Sequence, residues 1–422
     1  FKTELDPTGE QDALFTKHAD IRRFAYNYGI ARKTETSDQN DALEVISGFT
    51  PTTSEERKSV VRVKYPTAID LAKELVKAKN TDKPWLAEVS KHVRQEALRD
   101  LDAAVSNHFK NPEHFGWPQF KNKKDTRPSF TFTGNSPTAP KVIELEAQRV
   151  KLPFIGWVRL KESVNLLTRF KTVLIHSVTV SKVAGRWFVS LGIEVSRDVS
   201  VPRTGEPMGA DRGYGDELLV LSNADRTKVE VIQNPRFYRK AEKKLAHIQR
   251  IASRRTLGSK RRAKVQLHAD RFNSHITNVR KDFIHKTTTR LAKTYPVIVV
   301  ETLSVESMGK ESSGNAKSVM DAAMAEVVRQ LKYKTPLYGS VVIEADRWYP
   351  STQRCSRCYG RYPIGRGEPV YHCPFCGLKV GRNINSGANL AQWPMARGTL
   401  VTDATKSQDP ASSQERGVDR FC

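Results

Sequence analysis

Four of the five cysteines fall in two pairs, Cys355-x-x-Cys358 and Cys373-x-x-Cys376, with fourteen residues between the pairs. A Cys-x-x-Cys turn lets two thiolates take adjacent corners of a tetrahedron, and two such turns close a structural zinc site with no open coordination position. A closed four-thiolate site implies folding and not catalysis. Gly360 and Gly377 follow the turns, where a backbone free of Cβ strain is useful. Cys422 is left over in the tail. Two carboxylates form a second group. Asp211 lies in Gly-Ala-Asp-Arg-Gly, and Glu301 ends the apolar run Val-Ile-Val-Val-Glu. Both segments read as strands, and carboxylates on neighbouring strands can hold a divalent cation through hard oxygen ligands. On spacing alone, surface acids at strand ends fit equally well. The third group is cationic. Residues 236–293 hold eighteen Lys and Arg against three acids, too lopsided for i,i+4 pairing to neutralise. Arg254, Arg255, Lys260, Arg261, Arg262 and Lys264 crowd the turn between two helical segments, a pattern that suits a nucleic-acid backbone. Trp117 and Phe120 stand among Lys121, Lys123 and Lys124. They can stack bases, or they can pin their loop to a neighbouring barrel.

The whole chain shares that charge. Its 422 residues carry 70 Lys and Arg against 46 Asp and Glu, a net charge of +24. Such a surplus calls for a polyanion partner and argues against a small-molecule metabolic enzyme. The length suggests roughly three domains. The 38% of apolar residues suffices for several modest cores. No run approaches the ~20 apolar residues that cross a bilayer. No apolar signal segment is visible in the first thirty residues, and the chain opens at Phe1, so leading residues are expected before it. Paired cysteines suit a reducing compartment, so a cytoplasmic, nucleoid-associated protein is expected.

The elements that must position these groups follow from hydrophobic period. A short strand and a helix carrying Phe15, Ile21, Phe24 and Tyr28 open the chain. Residues 36–125 read as helices, with Leu71 and Leu75 and then Ala97, Leu98 and Leu101 at helical spacing. Residues 129–200 turn β-branched and aromatic between turn residues, which suggests a small barrel with the helices inserted into it. A hairpin after Asp211, two helices with narrow apolar stripes, the strand 296–303, a helix over 317–335 and the strand 340–345 follow. A strand bearing Gly-x-Asp-x-Gly, a hairpin, helices, and a strand ending in Glu make the skeleton of an RNase H-like fold. There, with a third acid from a later helix, such residues hold two Mg²⁺ ions for phosphodiester hydrolysis.

These pieces resemble, in order, the TnpB family of transposon-encoded RNA-guided nucleases and the related compact type V CRISPR effectors. The resemblance runs over about residues 1–395. It is carried by LDPTGEQ and IRRFAYNYGIARK, GWPQFKNKK, GRWFVSL, KDFIHKTTTRLAK, VIVVETLSVESM, LKYKTPLYG, RWYPSTQRCSRCYG, CPFCG and GRNINSGANLA. It implies an α+β multidomain fold. A wedge β-barrel split between 1–35 and 126–203 holds a helical recognition lobe at 36–125. A RuvC, RNase H-like domain covers 204–349 and 378–398, and a four-Cys zinc ribbon, 350–377, is inserted in it. Beyond the resemblance, the polar composition of 399–422, rich in Ser, Asp and Gln, leads one to expect a disordered tail. The resemblance also implies a guide RNA as partner, a double-stranded DNA target beside a short duplex motif, structural zinc, and Mg²⁺ at the RuvC site.

By motif, the family's catalytic acids map to Asp211 and Glu301, which would ligate magnesium. The third falls on Asn383, where the family has Asp. Asparagine is neutral and coordinates a divalent ion weakly, and no other acid within the motif replaces it. Three readings stand. The leading one is an RNA-guided DNA-binding protein with an impaired RuvC site. The second is an active RNA-guided endonuclease that tolerates Asn383. The third is a repressor or transposition accessory that binds DNA without a guide.

Overall fold

The computed structural model describes residues 1–47, 62–134, 142–164, 173–195, 200–304, 308, 316–365 and 367–396. The tail expected to be disordered, with Cys422, lies outside them. The chain divides into two units, Phe1–Arg197 and Asp198–Cys422.

In the first unit, alternation of apolar and polar residues builds a seven-stranded antiparallel sheet. Its strands are β1 (Lys2–Asp6), β2 (Ser129–Thr133), β3 (Glu144–Leu145), β4 (Arg149–Leu152), β5 (Gly156–Leu160), β6 (Val173–Val183) and β7 (Arg186–Val195), in the order β2-β6-β7-β1-β5-β4-β3. The N-terminal strand joins the halves, pairing with β7 through Glu4↔Phe188 and with β5 through Leu5↔Leu160. Inward residues make one core: Leu5, Phe130, Phe132, Val150, Val158, Val178, Val180, Trp187 and Val189. No ladder joins the end strands β2 and β3 among the described residues.

Helix α1 (Gly9–Ser47) serves two cores. Phe15 and Ala19 pack into the sheet core, while Ile21, Ala25, Tyr26 and Ile30 pack against α2 (Ala68–Asn80) and α3 (Lys91–Lys110). One continuous helix therefore crosses residue 35, where the apolar pattern passes from the first segment to the helical one. Thr67 and Asp70 close a capping box at the start of α2, and Ser90 caps α3.

The second unit is built on a five-stranded sheet. Its strands are β8 (Pro207–Arg212), β9 (Glu217–Ser222), β10 (Val229–Gln233), β11 (Val297–Glu301) and β12 (Val341–Ala345), ordered β10-β9-β8-β11-β12. The first three form an antiparallel meander, and β11 runs parallel to both β8 and β12. Parallel central strands are covered on both faces and so read as continuous apolar runs. Ile298 and Val300 face one side, with residues of α5 (Lys260–Thr294) and α7 (Met324–Leu337); α4 (Phe237–Ser253) packs on α5. Val297 and Val299 face the other, with Leu390 of α8 (Arg382–Ala396). The single helix expected over 317–335 is broken into α6 (Ala316–Ala322) and α7 at Ala323, whose φ is 49°. Strands β13 (Val370–His372) and β14 (Lys379–Gly381) form a separate ribbon beside the cysteines.

Helix α8 crosses β8 at unusually close range. A Cβ on Gly209 would collide with the Gly387 carbonyl oxygen and stand 2.6 Å from Leu390 Cβ. A Cβ on Gly387 would in turn meet the Gly209 oxygen at 3.0 Å. Gly209→Ala is therefore expected to force the helix off the strand and cost about 1–3 kcal/mol of stability. Urea unfolding of the full chain measures this.

Candidate metal centres

Three elements bring the acids together. Asp211 is the fifth residue of β8, and Glu301 ends β11. The parallel register pairs Val300 with Ala210, so both acids leave the same end of adjacent strands. They share the face of Gly209 and Val299, which is the face that α8 covers. The first turn of α8 presents Asn383 and, three residues on, Ser386. The Ser386 hydroxyl donates to Asp211 Oδ1 at 3.1 Å.

Asp211 is buried. Burial pushes its carboxyl well above the usual range, and Glu301 beside it adds to the rise; Ser386, Arg382 and Arg212 oppose it. The buried Arg212 guanidinium donates to the backbone carbonyls of Glu301 and Met324 and so ties the end of β8 to β11. Desolvation lowers its own pKa. Glu301 Oε1 accepts from the Ser351 hydroxyl. Asn383 is engaged elsewhere: its Nδ2 donates to Glu217 Oε2, at the start of β9, at 2.7 Å. Asp211 and Glu301 suit a hard dication by donor type. Among the described residues, only the four cysteines form a group of three or more metal-type side chains with all ligand atoms within 4.8 Å.

That cysteine group fits zinc closely. Cys355 and Cys376 sulfurs lie 3.7 Å apart, and those of Cys358 and Cys373 3.5 Å. A tetrahedron with Zn–S of about 2.3 Å has edges of roughly 3.8 Å. Burial pushes the Cys373 thiol up, but the N–H groups of Cys376 and Phe375 and the thiols of Cys358 and Cys355 beside it bring it to about 7, while the Cys358 thiol, sharing that cluster, is pushed up to about 12. The two turn glycines differ in purpose. Gly377 takes φ 70°, whereas at the first turn Tyr359 takes φ 65° and Gly360 makes room for Phe375, whose Cδ2 would stand 2.6 Å from a Cβ.

Helix α8 also fastens the ribbon. Asn385 accepts from Ser356 N–H at 3.0 Å and donates to the Arg354 carbonyl at 2.7 Å. Asn389 donates to the Ser351 and Arg354 carbonyls at 2.7 and 2.6 Å. Gln392 donates to the Ser356 carbonyl at 2.9 Å. The segment entering the zinc site is thus held by the helix that carries Asn383, and its Ser351 touches Glu301. Ser351, Ser386, Arg212 and Glu217 were not singled out from the sequence. Each is an ordinary residue type whose relevance comes from a partner far along the chain.

The cationic residues are placed as follows. Gly258, with φ 82°, and Ser259, which caps α5, shape the turn between α4 and α5. Arg254, Arg255, Lys260, Arg261 and Lys264 are exposed around it, while half-buried Arg262 donates to the Arg255 carbonyl at 3.1 Å. The ion pairs Arg239–Glu242, Lys286–Asp282 and Arg290–Glu230 lie away from this tip. In the first unit, Trp117 packs edge-on to His108 and Phe109 and reaches Tyr65, so its ring is pinned to the helical core, not to the sheet. Asn27 brackets the Lys121 backbone, the Lys121 ammonium lies 3.4 Å from the Tyr26 ring centroid, and Lys123 pairs with Asp20 at 2.9 Å. Phe120 and Lys124 are exposed.

Comparison with known proteins agrees over most of the chain. A family model described as "Probable transposase" (OrfB_IS605) matches residues 190–311, a "Cas12f1-like, TNB domain" matches 325–390, and a helix-turn-helix domain of OrfB_IS605 matches 1–41. A Streptomyces pristinaespiralis protein is 31% identical over 92% of this chain and 88% of its own length. InsQ of Escherichia coli K12 is 29% identical over 92% and 90%. Both carry the name "Putative RNA-guided DNA endonuclease". The Cas12f1 chain of a solved Cas12f1-sgRNA-target DNA complex has the same fold, with a TM-score of 0.55 at 12% identity over 91% of this chain and 83% of that one. No described helix is long and apolar enough to cross a membrane.

Two outcomes follow from the site. Apparent binding free energies of structural zinc sites are ~10–16 kcal/mol, so Cys373→Ser should release the metal and expose residues 350–380 to protease. Elemental analysis and limited proteolysis read both effects. Asp211 carries a raised folded-state pKa, so ionising it costs stability as pH rises above the unfolded carboxylate range near ~4. Asp211→Asn should therefore raise the melting temperature at pH 7–8, and the gain should vanish below that range. Thermal scans across pH test the sign.

Proposed function

The chain belongs to the TnpB and type V effector family, and from that premise we propose that it uses a bound guide RNA to recognise a matched double-stranded DNA target beside a short duplex motif. Base pairing supplies sequence, and the protein supplies shape recognition and a cationic path for phosphates. The exposed cations at the α4–α5 tip and the Lys121–Lys124 loop are assigned to backbone contact, and exposed Phe120 to base stacking. The meander, the parallel β11 and β12, and α8 correspond to an RNase H-like RuvC domain. The seven-stranded sheet corresponds to the wedge barrel, α2 and α3 to the recognition lobe, and the cysteine segment to the zinc ribbon. The place of action would be the DNA-containing compartment of a prokaryotic cell.

The observation that carries the catalytic part is the juxtaposition of Asp211 and Glu301 at the ends of adjacent parallel strands, under the helix bearing residue 383. Asp211 and Glu301 would hold Mg²⁺, which when bound supplies Lewis-acid activation of water and charge stabilisation for phosphodiester cleavage. Ser386 and Ser351 orient the two carboxylates, and Arg212 holds their strands in register. Asn383 removes the carboxylate that the family places on α8, so cutting is expected to be impaired while guided binding persists. The second reading, an active endonuclease, gains support from Glu217, whose carboxylate stands beside Asn383.

Purifying the full chain with its nucleic acid tests this. One discrete RNA should co-purify, and the complex should bind DNA matched to it far more tightly than unmatched DNA. Little Mg²⁺-dependent cutting is expected. Absence of a discrete RNA with retained DNA binding would move the protein to the guide-independent reading, and robust cutting would move it to the active one.

A further inference from the structure

In the first unit, helix α1 and the segment leading into β2 enclose a small cavity of about 90 Å³. Five cations line it, Arg22 and Arg23 from the helix and Lys121, Lys123 and Arg127 from the segment, against one lining acid, Asp20. Small-molecule sites run to roughly 300–1,000 Å³, so this cavity suits a single compact group.

The nearby acids do not saturate these cations. Asp20 takes both Arg23 and Lys123 at 2.9 Å, and Asp100 takes Arg22 at 2.6 Å. Asp125, on the same segment, is exposed and does not line the cavity. Arg127 is exposed and has no partner among the described residues. Five lining cations therefore meet two carboxylates. Arg22 shows the same deficit at a single bond. Its Nη1 donates to Ser129 Oγ at 3.1 Å and its Nη2 to Asp100, but its buried Nε–H finds no acceptor among the described residues. A buried donor left unmade is costly, and an anion seated against Arg22 would supply the acceptor.

The walls are fixed without a ligand. Asn27 accepts from the Lys121 N–H at 2.8 Å and donates to the Lys121 carbonyl at 3.0 Å. The Pro128 carbonyl accepts from Lys182 N–H at 2.8 Å. The cationic segment is thus pinned to α1 at one end and to β6 at the other, so binding there has little left to order.

We infer that this cavity is a phosphate pocket that takes one phosphodiester group of a bound nucleic-acid strand. Guanidinium forks match phosphate oxygens, and a pocket of this size reads backbone and not sequence. The inference rests on the nucleic-acid-binding reading above. Guide RNA and target DNA both offer the group.

The test uses the full chain, freed of nucleic acid at high salt. Its binding to a labelled single-stranded RNA and to a labelled DNA duplex is titrated across salt concentrations. Arg23→Gln/Arg127→Gln leaves Lys123 beside Asp20. It should weaken the strand that fills the pocket by about tenfold and flatten the salt slope by about 0.7 for the RNA or about 0.9 for the duplex. The strand affected, RNA, DNA or both, names the source of the phosphate. Arg127→Lys conserves charge but loses the fork, and should weaken the same strand with the melting temperature unchanged. Should the double variant melt early, Arg127→Gln alone carries the slope measurement. If Arg127→Lys binds like the parent while the double variant is weakened, the cations act as a diffuse field and the pocket is overturned. If every variant binds both strands like the parent, the inference fails alone. If the parent binds neither strand, the nucleic-acid-binding reading fails and takes the inference with it.

Discussion

The second unit depends on how closely α8 can approach β8. Two glycines, Gly209 on the strand and Gly387 on the helix, remove the side chains that would hold the backbones apart. With that approach, a serine's short reach suffices for Ser386 to touch Asp211, and Asn383 lands one turn earlier beside β9. Without it, helix and acids would be separated by a layer of side chains. The same helix uses Asn385, Asn389 and Gln392 to grip the segment entering the zinc site. One crossing therefore sets the positions of the acid pair, of residue 383 and of the ribbon.

This arrangement works against stability at the acids and recovers it nearby. A buried Asp211 next to Glu301 disfavours its own charged form. The surroundings answer with single hydroxyl donors and with guanidiniums, one of which, Arg212, spends its hydrogen bonds on backbone carbonyls. Such partners hold the geometry of the two carboxylates while Asp211 remains disfavoured in its charged form. The thiolate site differs, since its four sulfurs converge at near-tetrahedral distances and offer no open position.

Features fixed by local pattern were legible in the sequence. The Cys-x-x-Cys pairs, the alternation in Ser129–Thr133, the apolar run at Val297 and the helical stripe through Leu98 and Leu101 each reflect a period of a few residues. The apolar strand patterns drew attention to Asp211 and Glu301, and the family resemblance marked Asn383 as a departure. Contacts between distant segments were not legible. Glu217 stands 166 residues from Asn383, and Ser351 stands 50 from Glu301. Trp117 left stacking and pinning open because its neighbours Tyr65, Phe109 and His108 come from separate segments. The break at Ala323 was also hidden, since nothing in Ala-Ala-Met announces a left-handed residue.

Helix α1 belongs to two cores at once. Its 39 residues make a rod of roughly 58 Å, whose early residues are set among the sheet side chains and whose middle residues lie among α2 and α3. Within the first unit it therefore acts as a shared beam. A push on the helical core is delivered to the sheet as torque, and a swing of that core relative to the sheet requires the beam itself to bend. Bending strains many backbone hydrogen bonds together, so the response is stiff and not hinge-like. A ligand that loads the helical core would thus be felt at Phe15 and Trp187 as strain.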